Sequence, residues 1–193
     1  MKKFIFYIYR KFFANRLFYN FNRYLFTLSL KGLGINNFEN DYYSGEDYFL
    51  KKLNLNNSEL TIFDVGANVG NYSEHIIKLF PKAKLYSFEP HPKIFTILKN
   101  TSSNKYKVFN FGFGNEIKEL QLFDYKNETG GSEHASIYKD VFDSIYKTES
   151  ISYSIKINTI DNFLNENGLK NITLLKTDTE GNDFAVLQGA KKT

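Results

Sequence analysis

The chain has 193 residues and no cysteine, enough for one domain with a sizeable core plus an appendage, and without a disulfide framework or thiolate zinc site. Hydrophobic residues at 42% and charged residues at 24% are ordinary for a soluble protein, and the lack of cysteine fits a reducing, cytoplasmic compartment. The net charge of +4 hides an asymmetry: residues 1–31 hold seven basic side chains and no acid, so the remainder sums to −3 and gives nucleic acid no basic footprint.

The first thirty residues interleave basic and aromatic side chains. Arg10 ends the apolar run Phe4–Tyr9 too soon for a signal peptide, and no stretch approaches the roughly 20 apolar residues of a membrane span. Read as one helix, the segment sets Phe4, Ile8, Phe12, Tyr19 and Phe26 on a stripe that Asn15 and Asn22 interrupt. Such a helix lies peripherally on an anionic membrane, caps the domain or binds a partner, and the pattern leaves all three open. A basic, aromatic, helical head over 1–55 is expected ahead of a domain over 56–193.

From residue 60 the pattern turns to alternating strand and helix. "LTIFDVG" (60–66) suits a strand buried on both faces, and Tyr72, Ile76, Leu79 and Phe80 recur at helical spacing until Pro81. "KLYSFEP" (84–90) reads as a second strand, Pro92 opens the next helix, and "YKVFNFGFG" (106–114) reads as a third strand. "KELQLFDY" and "ISYSIKINT" alternate like antiparallel partners around the polar loop "NETGGSEHAS". "TIDNFL" opens a short helix capped by Thr159 or Asp161, "NITLLKTD" (171–178) reads as a fourth core strand, and "NDFAVLQGAKK" starts another helix. This alternation implies an α/β fold with a parallel sheet. His75, His91 and His134 lack metal-ligand spacing and read as surface or half-buried residues, so no metal site is expected.

Chemistry concentrates where the first strand meets its helix, at Asp64-Val65-Gly66-Ala67-Asn68-Val69-Gly70-Asn71. Open α/β sheets bind ligands at such bends. Glycines there let the backbone turn and remove Cβ atoms that would meet a ligand, and the helix from Asn71 offers unpaired amides. Glu89 ends the second strand, 23 residues past Gly66, where an acid can accept both ribose hydroxyls of an adenosine-containing cofactor. The dinucleotide pattern needs a glycine where Asn68 stands, which counts against a pyrophosphate on this backbone. A cofactor with an amino-acid tail suits Asp64, whose carboxylate can receive an ammonium.

"FDVGANVGNYS", "YSFEPHPKIFTILKN", "TIDNFL" and "LLKTDTEGNDFAVLQGAKK" together resemble the FkbM-type family of S-adenosylmethionine-dependent methyltransferases, over roughly residues 60–191. The resemblance implies a Rossmann-like methyltransferase sheet, S-adenosylmethionine as cofactor, and O-methylation of a small-molecule or glycan acceptor. It assigns Asp64, Gly66, Ala67, Asn68, Gly70 and Asn71 to the cofactor loop and Glu89 to the ribose. Asp178, Glu180 and Gly181 match the family's "KxDxEG" signature. Sheets of that family have strand order 3-2-1-4-5-7-6, and this chain supplies only 3, 2, 1 and 4. The reading therefore expects a C-terminally incomplete sheet, from a fragment or from one that another polypeptide completes, with strand 4 as a bare edge.

Asp178 ends a buried strand on the face where the other site residues emerge, so it can take a proton from a hydroxyl or hold a divalent metal. Asp178 and Glu180 are the catalytic candidates. A plainer role is a helix cap for Asp178 with Glu180 complementing the helix dipole, while Lys176 snorkels or pairs with an acid. Two rival functions remain: a nicotinamide-dependent oxidoreductase on a similar sheet, and a non-catalytic membrane- or partner-binding protein.

Overall fold

The computed structural model describes residues 2–35, 45–53, 60–125 and 150–193. The chain divides into two units, Met1–Leu55 and Asn56–Thr193. The loop "NETGGSEHAS", with His134, lies outside the described residues.

In the first unit, α1 (Lys2–Phe13), a 3-10 turn (Arg16–Phe18) and α2 (Tyr19–Gly32) replace the expected single helix, and α3 (Glu46–Lys52) follows. The asparagines that interrupt the stripe build the corner. Asn15 leaves helical geometry at φ −142°, and its Oδ1 accepts the N–H groups of Leu17 and Phe18. Asn22 donates to the Phe13 carbonyl and accepts the Tyr9 hydroxyl, and the Phe13 ring packs on Phe18 and Phe21. Short side chains that bond the backbone compete with helix continuation, which apolar spacing alone does not register.

The second unit is built on a parallel sheet of β1 (Thr61–Val65), β2 (Lys84–Phe88), β3 (Lys107–Phe109) and β7 (Leu174–Thr177), in the order β3-β2-β1-β7. The expected 3-2-1-4 arrangement is therefore present, and among the described residues β7 pairs only with β1. Helices α4 (Asn71–Leu79) and α5 (Pro92–Ser102) return the chain between parallel strands, as parallel pairing requires. All five residues of β1 are buried. Phe63 and Val65 point into a cluster with Tyr86, Phe88, Phe113 and Phe163, the last supplied by α6 (Ile160–Glu166). Alternation then turns Asp64 toward α4, whose Ser73 donates to it. Of the two cap candidates for α6, Thr159 accepts the Asn162 N–H, while Asp161 binds the Lys192 N–H and the Thr193 hydroxyl.

The expected third strand, 106–114, is two strands in different sheets. β3 ends at Phe109, and β4 (Gly112–Phe113) joins a second sheet of order β4-β6-β5. Between them the Asn110 side chain donates to the Glu89 and Pro90 carbonyls, tying the switch to the end of β2. In that second sheet β5 (Lys118–Tyr125) and β6 (Ser150–Asn158) pair antiparallel as expected, from Lys118↔Ile157 to Tyr125↔Ser150. Their apolar face gathers Leu122, Ile155 and Ile157. The last helix, α7 (Asp183–Gln188), follows β7.

Candidate active site

The bend after β1 is sparse first because of the protein itself. Gly66 sits at φ +75°, and a Cβ there would lie 1.9 Å from the Asp178 carbonyl oxygen. Glycine is thus required by β7's backbone passing alongside, a closeness no side chain tolerates. Gly70, at φ +95°, caps α4, and its Cβ would meet Leu98 and the Tyr106 hydroxyl at 2.9 Å. Asn68 takes φ +49°, a left-handed geometry that asparagine accepts better than most residues. The Gly66 and Ala67 N–H groups both donate to the Phe88 carbonyl, which fastens the loop to β2.

Asp64 lies beneath this loop and is fully buried. Its Oδ2 accepts the Ser73 hydroxyl at 2.6 Å, and its Oδ1 pairs with Lys176 Nζ at 3.1 Å. The ammonium it receives is therefore the chain's own. Lys176 also donates to the Gly66 carbonyl at 2.9 Å and stands 4.0 Å from Asp178. One lysine on β7 thereby holds both the carboxylate under the loop and the loop's first carbonyl. A buried carboxylate of this kind depends on such a partner.

Glu89 is 7% exposed at the end of β2. Its two oxygens accept the Asn68 and His91 N–H groups at 3.0 and 2.8 Å. Burial raises its pKa to about 7 against the lowering effect of those hydrogen bonds and of Lys176, with the Asp64 charge adding to the rise. The carboxyl group keeps acceptor capacity beyond these two bonds.

Glu89 lines a cavity of about 130 Å³ at the strand C-termini. That is close to the ~150 Å³ that accommodates one benzene-sized guest. Gly66, Asn68, Asp178, Glu180 and Asn182 form its polar side, and Leu122, Ile155 and Ile157 of the second sheet form its apolar wall. It opens between β1 and β7, where the strand order reverses, the place at which α/β sheets bind ligands. The Asn68 Oδ1 atom is buried without a hydrogen-bond partner among the described residues.

His91, expected as a surface or half-buried residue, is 1% exposed and lines this cavity. Its Nδ1 accepts the Lys93 and Ile94 N–H groups, capping α5 ahead of Pro92. That fixes the proton on Nε2, which donates to the buried Asp124 of β5 at 3.0 Å. Burial lowers the histidine's pKa despite Asp124, so the ring is a neutral bolt between the two sheets.

Beyond β7 the turn carrying Asp178 and Glu180 is held by Asp183. Its Oδ1 accepts the hydroxyls of Thr177 and Thr179 and the Thr179 N–H. Burial pushes the Asp183 pKa up, but these bonds outweigh it and hold it below the usual carboxylate value. Asp178 therefore caps nothing, and its side chain is 73% exposed at the cavity mouth. Glu180 is also exposed, in a left-handed conformation at φ +51°. Among the described residues no group of three His, Asp or Glu could hold a metal ion.

A family model described as the methyltransferase FkbM domain matches residues 64–193. The chain belongs to that family. It is 26% identical over 153 residues to methyltransferase sdnD of Sordaria araneosa, covering 66% of this chain and 59% of that protein. It is 23% identical over 154 residues to the 2-O-methyltransferase NoeI of Sinorhizobium fredii, covering 72% and 60% respectively. The chain thus spans less than two thirds of the length of these curated relatives, and no solved structure matches it.

In this FkbM domain the structure brings Gly66, Asn68, Glu89, Asp178 and Glu180 around one cavity. Asp64 is turned away beneath the loop, and Ala67, Gly70 and Asn71 do not line it. Sequence reasoning missed His91, Asn182 and Asp183. Asn182 lines the cavity and donates to the Phe113 carbonyl. The one available signal was "EPHP", since a polar residue just before proline at a helix start is a cap position.

Proposed function

We propose that this FkbM domain binds S-adenosylmethionine at the ends of β1, β2 and β7 and transfers its methyl group to a hydroxyl oxygen of a sugar or related metabolite. The observation that carries the reading is Glu89, a buried carboxyl group in a cavity at the sheet's switch point, bonded to the glycine loop's own backbone. The cavity, at about 130 Å³, takes one ring of such a cofactor, and the residues around it fit the ribose. Glu89 would accept the ribose hydroxyls, Asn68 Oδ1 is a buried acceptor in want of a donor, and Leu122, Ile155 and Ile157 offer an apolar wall. Asp64 serves by holding Lys176, which fixes the Gly66 carbonyl.

The bound cofactor supplies a methyl group already activated on sulfonium sulfur. The protein's part is to orient the acceptor oxygen and to remove its proton as the new bond forms. Asp178, an exposed acid lining the cavity, would take that proton, with Glu180 beside it. A relative named as a 2-O-methyltransferase supports oxygen as the acceptor atom.

Calorimetric titration with S-adenosylhomocysteine, and with NAD as the rival ligand, tests this. Charged hydrogen bonds contribute roughly 1.5–3 kcal/mol each, so Glu89→Ala should weaken S-adenosylhomocysteine binding by about tenfold to a hundredfold or more. Unchanged affinity in a folded Glu89→Ala protein, or preference for NAD, refutes the assignment.

A further inference from the structure

We propose that α1 is an interfacial anchor whose partner is an anionic lipid bilayer. At about 3.6 residues per turn, Phe4, Ile5, Ile8 and Phe12 share one face of α1, and Lys3 and Arg10 share the opposite one with the exposed Phe6 and Tyr7, with Lys2 and Lys11 at the two borders. None of its residues is buried, and Phe4 and Phe12 are 68% and 58% exposed. Among the described residues no acid pairs with Lys2, Lys3, Arg10 or Lys11.

The corner after Phe13 strengthens the case. Tyr9 and Phe13 turn toward Asn22, Phe18 and Phe21, so the packing that shapes the corner spares the Phe4, Ile8 and Phe12 face. No helix among the described residues is long and apolar enough to cross a membrane, which leaves a helix lying in the plane. A bilayer surface takes rings and cations at one depth: the rings enter the acyl boundary while lysines at the borders reach the headgroups. An acidic protein surface would satisfy the charges and leave the rings in water. A second copy of the head would set basic helices against one another.

The test uses the full chain with vesicles of phosphatidylcholine alone, or with about one third phosphatidylserine. The expected result is sedimentation with the anionic vesicles at low salt and loss of binding at high salt. Phe4→Ser with Phe12→Ser should reduce binding at least about tenfold, since each removes a large apolar group from the interface. Lys3→Gln with Arg10→Gln should weaken binding to the anionic vesicles by roughly fivefold per charge and narrow the preference for anionic lipid. Thermal unfolding of these variants should match the parent, because the residues are exposed. The proposal is overturned if the chain ignores anionic vesicles at low salt, binds both vesicles equally, or binds unchanged in the Phe4, Phe12 pair. Displacement from vesicles by equal amounts of RNA overturns it in favour of a nucleic-acid partner.

Discussion

Asp64 on β1 and Asp178, just past the end of the neighbouring β7, both approach Lys176, yet they are opposites. Asp64 is fully buried, 3.1 Å from the lysine and bonded to Ser73. Asp178 is 73% exposed and 4.0 Å from the same ammonium. A desolvated carboxylate with one oxygen hydrogen-bonded and the other 3.1 Å from an ammonium is a structural part, because removing that ammonium would strand a charge in the interior. An exposed carboxylate at a cavity mouth keeps its lone pairs available to a substrate. Signature residues of equal standing in the sequence thus divide into one locked in the frame and one left open beside the cavity.

The frame can be broken most severely at Gly66. In Gly66→Ala the new Cβ would fall 1.9 Å from the Asp178 carbonyl oxygen, and backbone cannot step aside as a side chain end can. The expected cost is about 5 kcal/mol or more, comparable to the whole stability of many domains, so no folded protein should be recovered. Gly70→Ala meets only the ends of Leu98 and Tyr106, at 2.9 Å, and should fold with a lowered melting temperature. Equal melting of parent and Gly66→Ala would mean that β7 does not pass beside this loop.

Lys176→Met comes next. Removing one partner of a buried pair costs about 3–5 kcal/mol, while replacing both can be nearly neutral. Denaturant unfolding should therefore show a large loss for Lys176→Met and substantial recovery when Asp64→Asn is added. Additive losses would show that the two side chains do not support each other.

The open carboxylate answers to a different assay. Asp178→Asn should leave unfolding unchanged, because the side chain is exposed and caps nothing, and should leave S-adenosylhomocysteine affinity within about twofold. With an acceptor that supports turnover, methylation should slow by about a hundredfold or more, the range for losing a general base. A chelator that stops turnover, with Mg²⁺ restoring it, would reassign Asp178 to a metal. Near-normal turnover without either effect would leave Asp178 with no part in the chemistry.

Much of this arrangement was legible because it depends on local pattern. The apolar runs of β1, β2 and β7 announce strands, and Pro92 and Thr159 announce helix starts. What stayed hidden depends on contacts across long separations. The sparse loop suggested a ligand, but Gly66 answers first to a backbone 112 residues away. "YKVFNFGFG" looks continuous because its break is made by Asn110 bonding two carbonyls at positions 89 and 90, which apolar spacing cannot express. His91 and Asp124 belong to elements 33 residues apart, and neither residue type suggests burial alone. The sequence offers Asp178 as the cap of the last turn, but it is Asp183 that holds the turn, through threonine hydroxyls that no local pattern announces.

Glu89 stands between the two aspartates in character, since it is buried like Asp64 yet lines the cavity like Asp178. Its carboxyl pKa is raised from 4.5 to about 7, so the folded state takes up a proton that the unfolded state has lost between those values. The contribution to stability is therefore full below pH 4.5 and is lost as pH rises through about 7. A cofactor whose ribose donates to the carboxylate needs the opposite form. Affinity for S-adenosylhomocysteine should rise about tenfold per pH unit below 7 and level off above it. Melting curves should show the two trends together: the unliganded protein loses stability toward pH 7, and saturating ligand flattens that loss by holding the ionised form. Glu89→Gln should abolish both trends and keep the fold. Affinity that falls as pH rises would mean the neutral acid is the binding form, with Glu89 donating to the ligand instead of accepting from it.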